Sequence, residues 1–187
     1  AAGRAPRLIA LRRGDGGALV VVAGGGGKTT LVIALVQHLK HDGWQVGVIS
    51  RGYGRQSHRC QEVHISTHVN ESGDEPLLIK RRTGAPVFVG IKRVSAAKAL
   101  LQAYPGTHIL VCDDGLQHYA LRRDIEIIVF DDRGTGNGWV LPAGPLREPW
   151  PAVAAMVPRI LLHTGNKPAF GGFTSTRRLA ENAVALD

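Results

Sequence analysis

Six short apolar runs, at residues 18–22, 46–49, 87–89, 109–112, 125–130 and 160–162, constrain this chain more than any other feature. Most are rich in Val and Ile and run without apolar/polar alternation, as strands buried on both faces of a parallel sheet do. Between them, residues 30–40 bring Leu31, Ala34, Leu35, Val36 and Leu39 near one helical face, and residues 93–103 do the same with Val94, Ala97, Leu100 and Leu101. This β-α alternation predicts an α/β fold: a mostly parallel sheet flanked by helices on both faces. With 187 residues the chain is the size of a single domain, about 150 residues being usual. In open parallel sheets ligands sit beyond the carboxyl ends of the strands. Residues 24–29, 50–53, 113–118 and 131–138 follow four of the runs, so four polar, glycine-bearing segments are expected at one edge.

Charge then narrows the partner. Lys and Arg number 23 against 15 Asp and Glu, a net charge of +8, which favours a nucleic acid, an anionic membrane surface or a phosphorylated small molecule. Base readers interleave aromatic platforms with basic residues. Four Phe, three Tyr and three Trp form no such stripe here, and nucleic acid is not expected. Cys60 and Cys112 lack metal-ligand spacing, which argues against a zinc site or a disulfide framework. No apolar stretch approaches the ~18 residues of a spanning helix, and no signal-peptide core precedes residue 12, so the chain is expected to be neither secreted nor transmembrane. Residues 1–16, with Arg4, Arg7, Arg12 and Arg13, read either as a solvated basic arm or as a membrane-surface contact.

The segments at the predicted edge carry chemistry. Ala23-Gly24-Gly25-Gly26-Gly27-Lys28-Thr29-Thr30 stands between an apolar run and an amphipathic stretch. Consecutive glycines let backbone amides turn toward a phosphate, a helix N-terminus adds its positive end, Lys28 reaches outer phosphates, and Thr29 offers a hydroxyl to Mg²⁺. That is a nucleotide P-loop, although the general G-x-x-x-x-G-K-[ST] pattern would place glycine at Val22. Residues 109–112 run into Asp113 and Asp114, the form of a Walker B strand with Asp113 as the metal-side acid. Gly73-Asp74-Glu75-Pro76 reads in two ways: Asp74 caps a helix with Pro76 in its first turn, or Asp74 accepts a hydroxyl proton while Glu75 approaches the metal. His118, four residues past Asp114, is either structural or a substrate contact.

Taken together, GGGGKTTLVIALV from Gly24, SRGYG from Ser50, GDEPLL from Gly73, DDGLQH from Asp113 and LPAGPLREP from Leu141 closely resemble the tetraacyldisaccharide 4'-kinase family of Gram-negative lipid A biosynthesis. The last two blocks in particular are not generic to nucleotide-binding folds. The resemblance implies ATP- and Mg²⁺-dependent phosphorylation of the 4'-hydroxyl of a tetraacylated disaccharide 1-phosphate, peripherally, at the cytoplasmic face of the inner membrane. It implies that residues 23–30 bind the nucleotide, that Lys28 and Asp74 are catalytic with Asp74 as general base, and that Thr29, Glu75 and Asp113 serve the metal. Arg51, Arg93, Asp114, His118 and Arg147 match positions lining the substrate and phosphate region. For Arg93 and Arg147 the chemistry agrees, since guanidinium forks suit phosphate.

The same resemblance makes residues 1–187 a single P-loop lobe. It implies a further C-terminal lobe, supplying a histidine paired with the catalytic Asp, which His163 is not. Two rival readings of the residues remain. A partition-type or other P-loop ATPase is one, weakened by Ala23 where that subclass carries an additional lysine. A nucleotide- or membrane-binding module lacking its catalytic half is the other.

Overall fold

A computed structural model describes residues 17–118, 121–146, 148–150, 157–168 and 171–176. Its centre is an eight-stranded sheet: β1 (Ala18–Gly24), β2 (Val46–Ser50), β3 (Gln61–Glu62), β4 (Val87–Val89), β5 (Ile109–Asp113), β6 (Ile125–Phe130), β7 (Arg159–His163) and β8 (Phe173–Thr174). The spatial order is β3-β4-β2-β5-β1-β6-β7-β8. Every pairing is parallel except β3 with β4. The six apolar runs are all strands. The two-residue β3 and β8 escape the pattern because their residues are half-buried or exposed and carry no apolar run.

Alternate residues of β1 feed different cores. Ala18, Val20 and Val22 pack with Val32 and Val36 of α1 (Lys28–His41) and with Leu77 and Ile79 of α3 (Asp74–Thr83). Leu19, Val21 and Ala23 pack with Ala96, Ala97 and Leu100 of α4 (Arg93–Ala103). Helices therefore cover both faces, as the β-α alternation predicts. A short α2 (Val69–Ser72) leads into α3. Among the described residues, no helix is long and apolar enough to cross a membrane.

β1 lies between β5 and β6, with Val22 opposite both Asp113 and Ile127. That register places the glycine loop after β1 beside the acidic end of β5 on one side and residues past β6 on the other. It also accounts for the valine at position 22. There the chain is still a fully buried strand, and it leaves the sheet only at Gly24, which has φ +119°. A Cβ on Gly24 would stand 2.1 Å from the Val129 carbonyl oxygen, so glycine is needed two residues later than the general pattern expects.

Candidate active site

The loop closes on Gly27, in the left-handed region at φ +102°, and α1 starts at Lys28. No side chain caps this helix and no acidic residue lies in its first turn, which leaves its amides and positive dipole end to an anion. Ala23 is the last buried residue before the loop, and Thr30 is exposed on the first turn. Lys28 Nζ donates to the Gly24 carbonyl at 3.1 Å and lies 3.5 Å from Asp114 Oδ1. Asp114, where the chain leaves β5, has φ +53°, a conformation that Asp tolerates better than most residues. Its amide donates to the Val22 carbonyl at 2.9 Å, which fixes the second carboxylate of the DD pair beside the lysine.

The acids at the start of α3 arrive through a backbone contact. Gly73, at φ +84°, lies against the loop after β2: a Cβ there would stand 2.9 Å from the Tyr53 carbonyl oxygen and 3.2 Å from Gly52. The reversal at Gly73 makes it, not Asp74, the helix N-cap. Asp74 is already the first helical residue, and its Oδ1 accepts from the Glu75 amide at 2.9 Å. Pro76 sits in the first turn, where its missing amide proton has no partner to lose. Thr29 Oγ1 donates to Glu75 Oε1 at 3.0 Å, joining the start of α1 to the start of α3.

Asp113 is 1% exposed. Ser50 Oγ donates to its Oδ2 at 3.4 Å, while Oδ1 has no hydrogen-bond partner. Burial first, and then the nearby Glu75 carboxylate, push its pKa up to about 6, against the opposing pull of Lys28. A buried carboxylate oxygen with no partner, close to a second carboxylate and a hydroxyl, fits a hard divalent cation. The described residues hold no cluster of three or more His, Cys, Asp or Glu that could bind a metal alone. Mg²⁺ does not need one, since it takes one or two carboxylates together with substrate phosphates.

The remaining candidates line the same edge at different depths. Arg51 is exposed after β2. Arg93 is 2% exposed and lies beneath the surface. Its Nη1 donates to the Gly90 carbonyl at 3.0 Å and its Nη2 to the Asp114 carbonyl at 3.4 Å, so the guanidinium braces the DD turn from below. His118 is kept below its usual pKa by burial first and then by the neighbouring Arg93 and Arg51 cations. Arg147 and the basic residues 1–16 lie outside the described residues.

Sequence reasoning missed three residues here. Ser50 bonds Asp113, Thr164 Oγ1 donates to the Gly26 carbonyl at 3.2 Å, and Arg123 donates to the Leu116 and His118 carbonyls at 2.7 and 3.0 Å. Ser50 and Thr164 share one signal: each stands at or just past the carboxyl end of a parallel strand. A cavity of ≈ 380 Å³ opens beside the loop, walled by Ala23, Leu116, Ile128, Phe130, Leu146 and Trp150.

A glycine loop between a central parallel strand and an uncapped helix, faced by a buried strand-end carboxylate, defines a P-loop phosphate-binding protein of the α/β class. Within that class, the chain belongs to the tetraacyldisaccharide-1-P 4'-kinase family, whose model matches residues 20–184. It is 66% identical over 157 residues to a tetraacyldisaccharide 4'-kinase of Polaromonas sp. (strain JS666 / ATCC BAA-500), covering 84% of this chain and 46% of that protein. A kinase of the same name from Methylibium petroleiphilum is 52% identical over 157 residues, covering 83% and 44%. The fold matches the crystal structure of LpxK from Aquifex aeolicus in complex with ATP, with a TM-score of 0.72 at 28% identity, over 84% of this chain and 53% of that one. The chain thus spans a little under half the length of these curated relatives.

Proposed function

We propose that this chain is the nucleotide-handling part of an ATP-dependent kinase that phosphorylates the 4'-hydroxyl of a tetraacyldisaccharide 1-phosphate. The observation that carries the reading is the Thr29–Glu75 hydrogen bond, which brings a phosphate-binding helix start and an acidic helix start into one site. A P-loop hydrolase needs only to position water, whereas an alcohol acceptor profits from a second acidic group beside the phosphoryl donor.

In the proposed step the amides of residues 24–29 and Lys28 hold the polyphosphate. Asp74 orients the acceptor hydroxyl and takes its proton as the oxygen–phosphorus bond forms in line with the breaking bond to ADP. Thr29, Glu75 and Asp113 are the residues that would hold Mg²⁺, which when bound neutralises charge on the phosphate oxygens. Arg51, Asp114, His118 and Arg147 are proposed to face the acceptor, and Arg93 to position the turn that carries Asp114. The net charge of +8 and the exposed Trp139 and Leu141 support peripheral contact with the anionic cytoplasmic face of the inner membrane.

Incubating the chain with γ-labelled ATP and the disaccharide acceptor tests this reading. Label on the acceptor is the expected result. ATP binding without labelled acceptor would reduce the chain to a nucleotide-binding module.

A further inference from the structure

Asp131 and Arg133 follow β6 and have no role in the chemistry above. β6 pairs with β1 up to Gly24 opposite Val129, so the residues after it rise beside the glycine loop. The Gly25 amide donates to the Val129 carbonyl at 2.9 Å, which presses the loop against that strand. Asp131 then leans over the loop: its Oδ2 lies 3.4 and 3.5 Å from the points where a Cβ would stand on Gly25 and Gly26.

Arg133 grips this carboxylate from the outer side. Its backbone amide and Nε donate to Oδ1 at 3.0 and 3.1 Å, and its Nε and Nη2 donate to Oδ2. The Arg133 side chain is 79% exposed, that of Asp131 only 18%. The Arg133 fork holds the Asp131 carboxyl at about 2, with the Gly26 backbone adding to the effect, so it is an anion at any ordinary pH. Gly24, Gly25, Asp131 and Arg133 all border the ≈ 380 Å³ cavity, within reach of a ligand on the loop.

The phosphate-binding groups are therefore engaged internally: Lys28 with Asp114, Thr29 with Glu75, and the Gly26 backbone with Asp131. A second anion brought onto the loop meets the like charge of Asp131, which Arg133 offsets only while the two stay paired. We infer that Asp131 is an internal counter-anion of the phosphate loop, displaced by an incoming nucleotide polyphosphate, and that its displacement turns Arg133 onto those phosphates. This deepens the nucleotide-site reading and rests on it. Arg133 becomes a nucleotide-binding residue and Asp131 the residue that positions it.

Calorimetric titration with ATP and with adenosine, on the chain and on Asp131→Asn and Arg133→Gln variants, tests the inference. Asp131→Asn is expected to bind ATP about tenfold tighter and Arg133→Gln about tenfold weaker, with adenosine affinity unchanged in both. The ATP affinity of Arg133→Gln should also depend less steeply on salt. Unchanged or weaker ATP binding by Asp131→Asn overturns the inference, as does an equal change for ATP and adenosine, which would mark a merely structural role. If Asp131→Asn shows no cooperative thermal transition, Arg133→Gln decides, and undiminished ATP affinity there sinks the proposal. ATP binding by the chain that is lost on Lys28→Ala but indifferent to Asp131 would leave the nucleotide site standing and this inference fallen. No ATP binding at all would remove both.

Discussion

Two helices of this molecule begin within hydrogen-bond distance of each other and begin oppositely. α1 starts after a left-handed glycine with Lys28, Thr29 and Thr30 and has no acid in its first turn. α3 starts after another positive-φ glycine with Asp74 and Glu75. The dipole rule makes acids the ordinary, stabilising choice at a helix start. α3 follows it and α1 forgoes it, so the start of α1 is left open to an anion from outside, while α3 carries its own. The Thr29–Glu75 bond is where these two kinds of terminus touch.

Removing the cation from the α1 side should have the largest effect. Lys28→Ala is expected to lower phosphoryl transfer by about 10³-fold, measured with γ-labelled ATP and acceptor. Removing the acid from the α3 side should separate transfer from binding. Asp74→Ala is expected to cost about 10²-fold or more in transfer while ATP affinity stays within about twofold. Intact transfer in that variant would show that Asp74 does not act as the base.

The buried acid between the two termini has a pH signature. Its pKa is raised from 3.8 to about 6, so the folded chain keeps a proton there that the unfolded chain has already lost. The stabilisation from this group is complete below pH ~4 and is lost as pH rises through about 6, leaving an ionised Asp113 that costs on the order of 3 kcal/mol at pH 7.5. Asp113→Asn is therefore expected to gain stability at pH 7.5 relative to pH 4, by urea unfolding, and to lose Mg²⁺-dependent nucleotide binding. An equal change at both pH values would contradict the assignment. The smallest effect comes from making α1 resemble α3. Thr30→Asp should stabilise the ligand-free chain by at most about 1 kcal/mol in thermal unfolding and weaken ATP binding through repulsion.

Six of the eight described strands were legible in the sequence because burial on both faces of a parallel sheet writes an apolar run. α4 was equally plain, its observed span of Arg93–Ala103 coinciding with the periodic stretch. The edge where polar segments converge followed from topology alone. What stayed hidden depends on register and approach. That Gly73 takes the cap and leaves Asp74 in the first turn is set by its contact with Tyr53 and Gly52, twenty residues away. That Arg93 lies beneath the site, and not on its surface, is decided by the Asp114 and Gly90 carbonyls that accept from it. The sequence places Asp131 only at the start of a polar segment, and its approach to the glycine loop depends on β6 lying beside β1.

The close approach of Gly73 to Gly52 and Tyr53 has a mechanical consequence. The loop carrying Arg51 and the turn carrying Asp74 meet backbone to backbone, without an intervening side chain to absorb movement. A shift of the loop that carries Arg51 is thereby passed directly to the start of α3, where Asp74 stands.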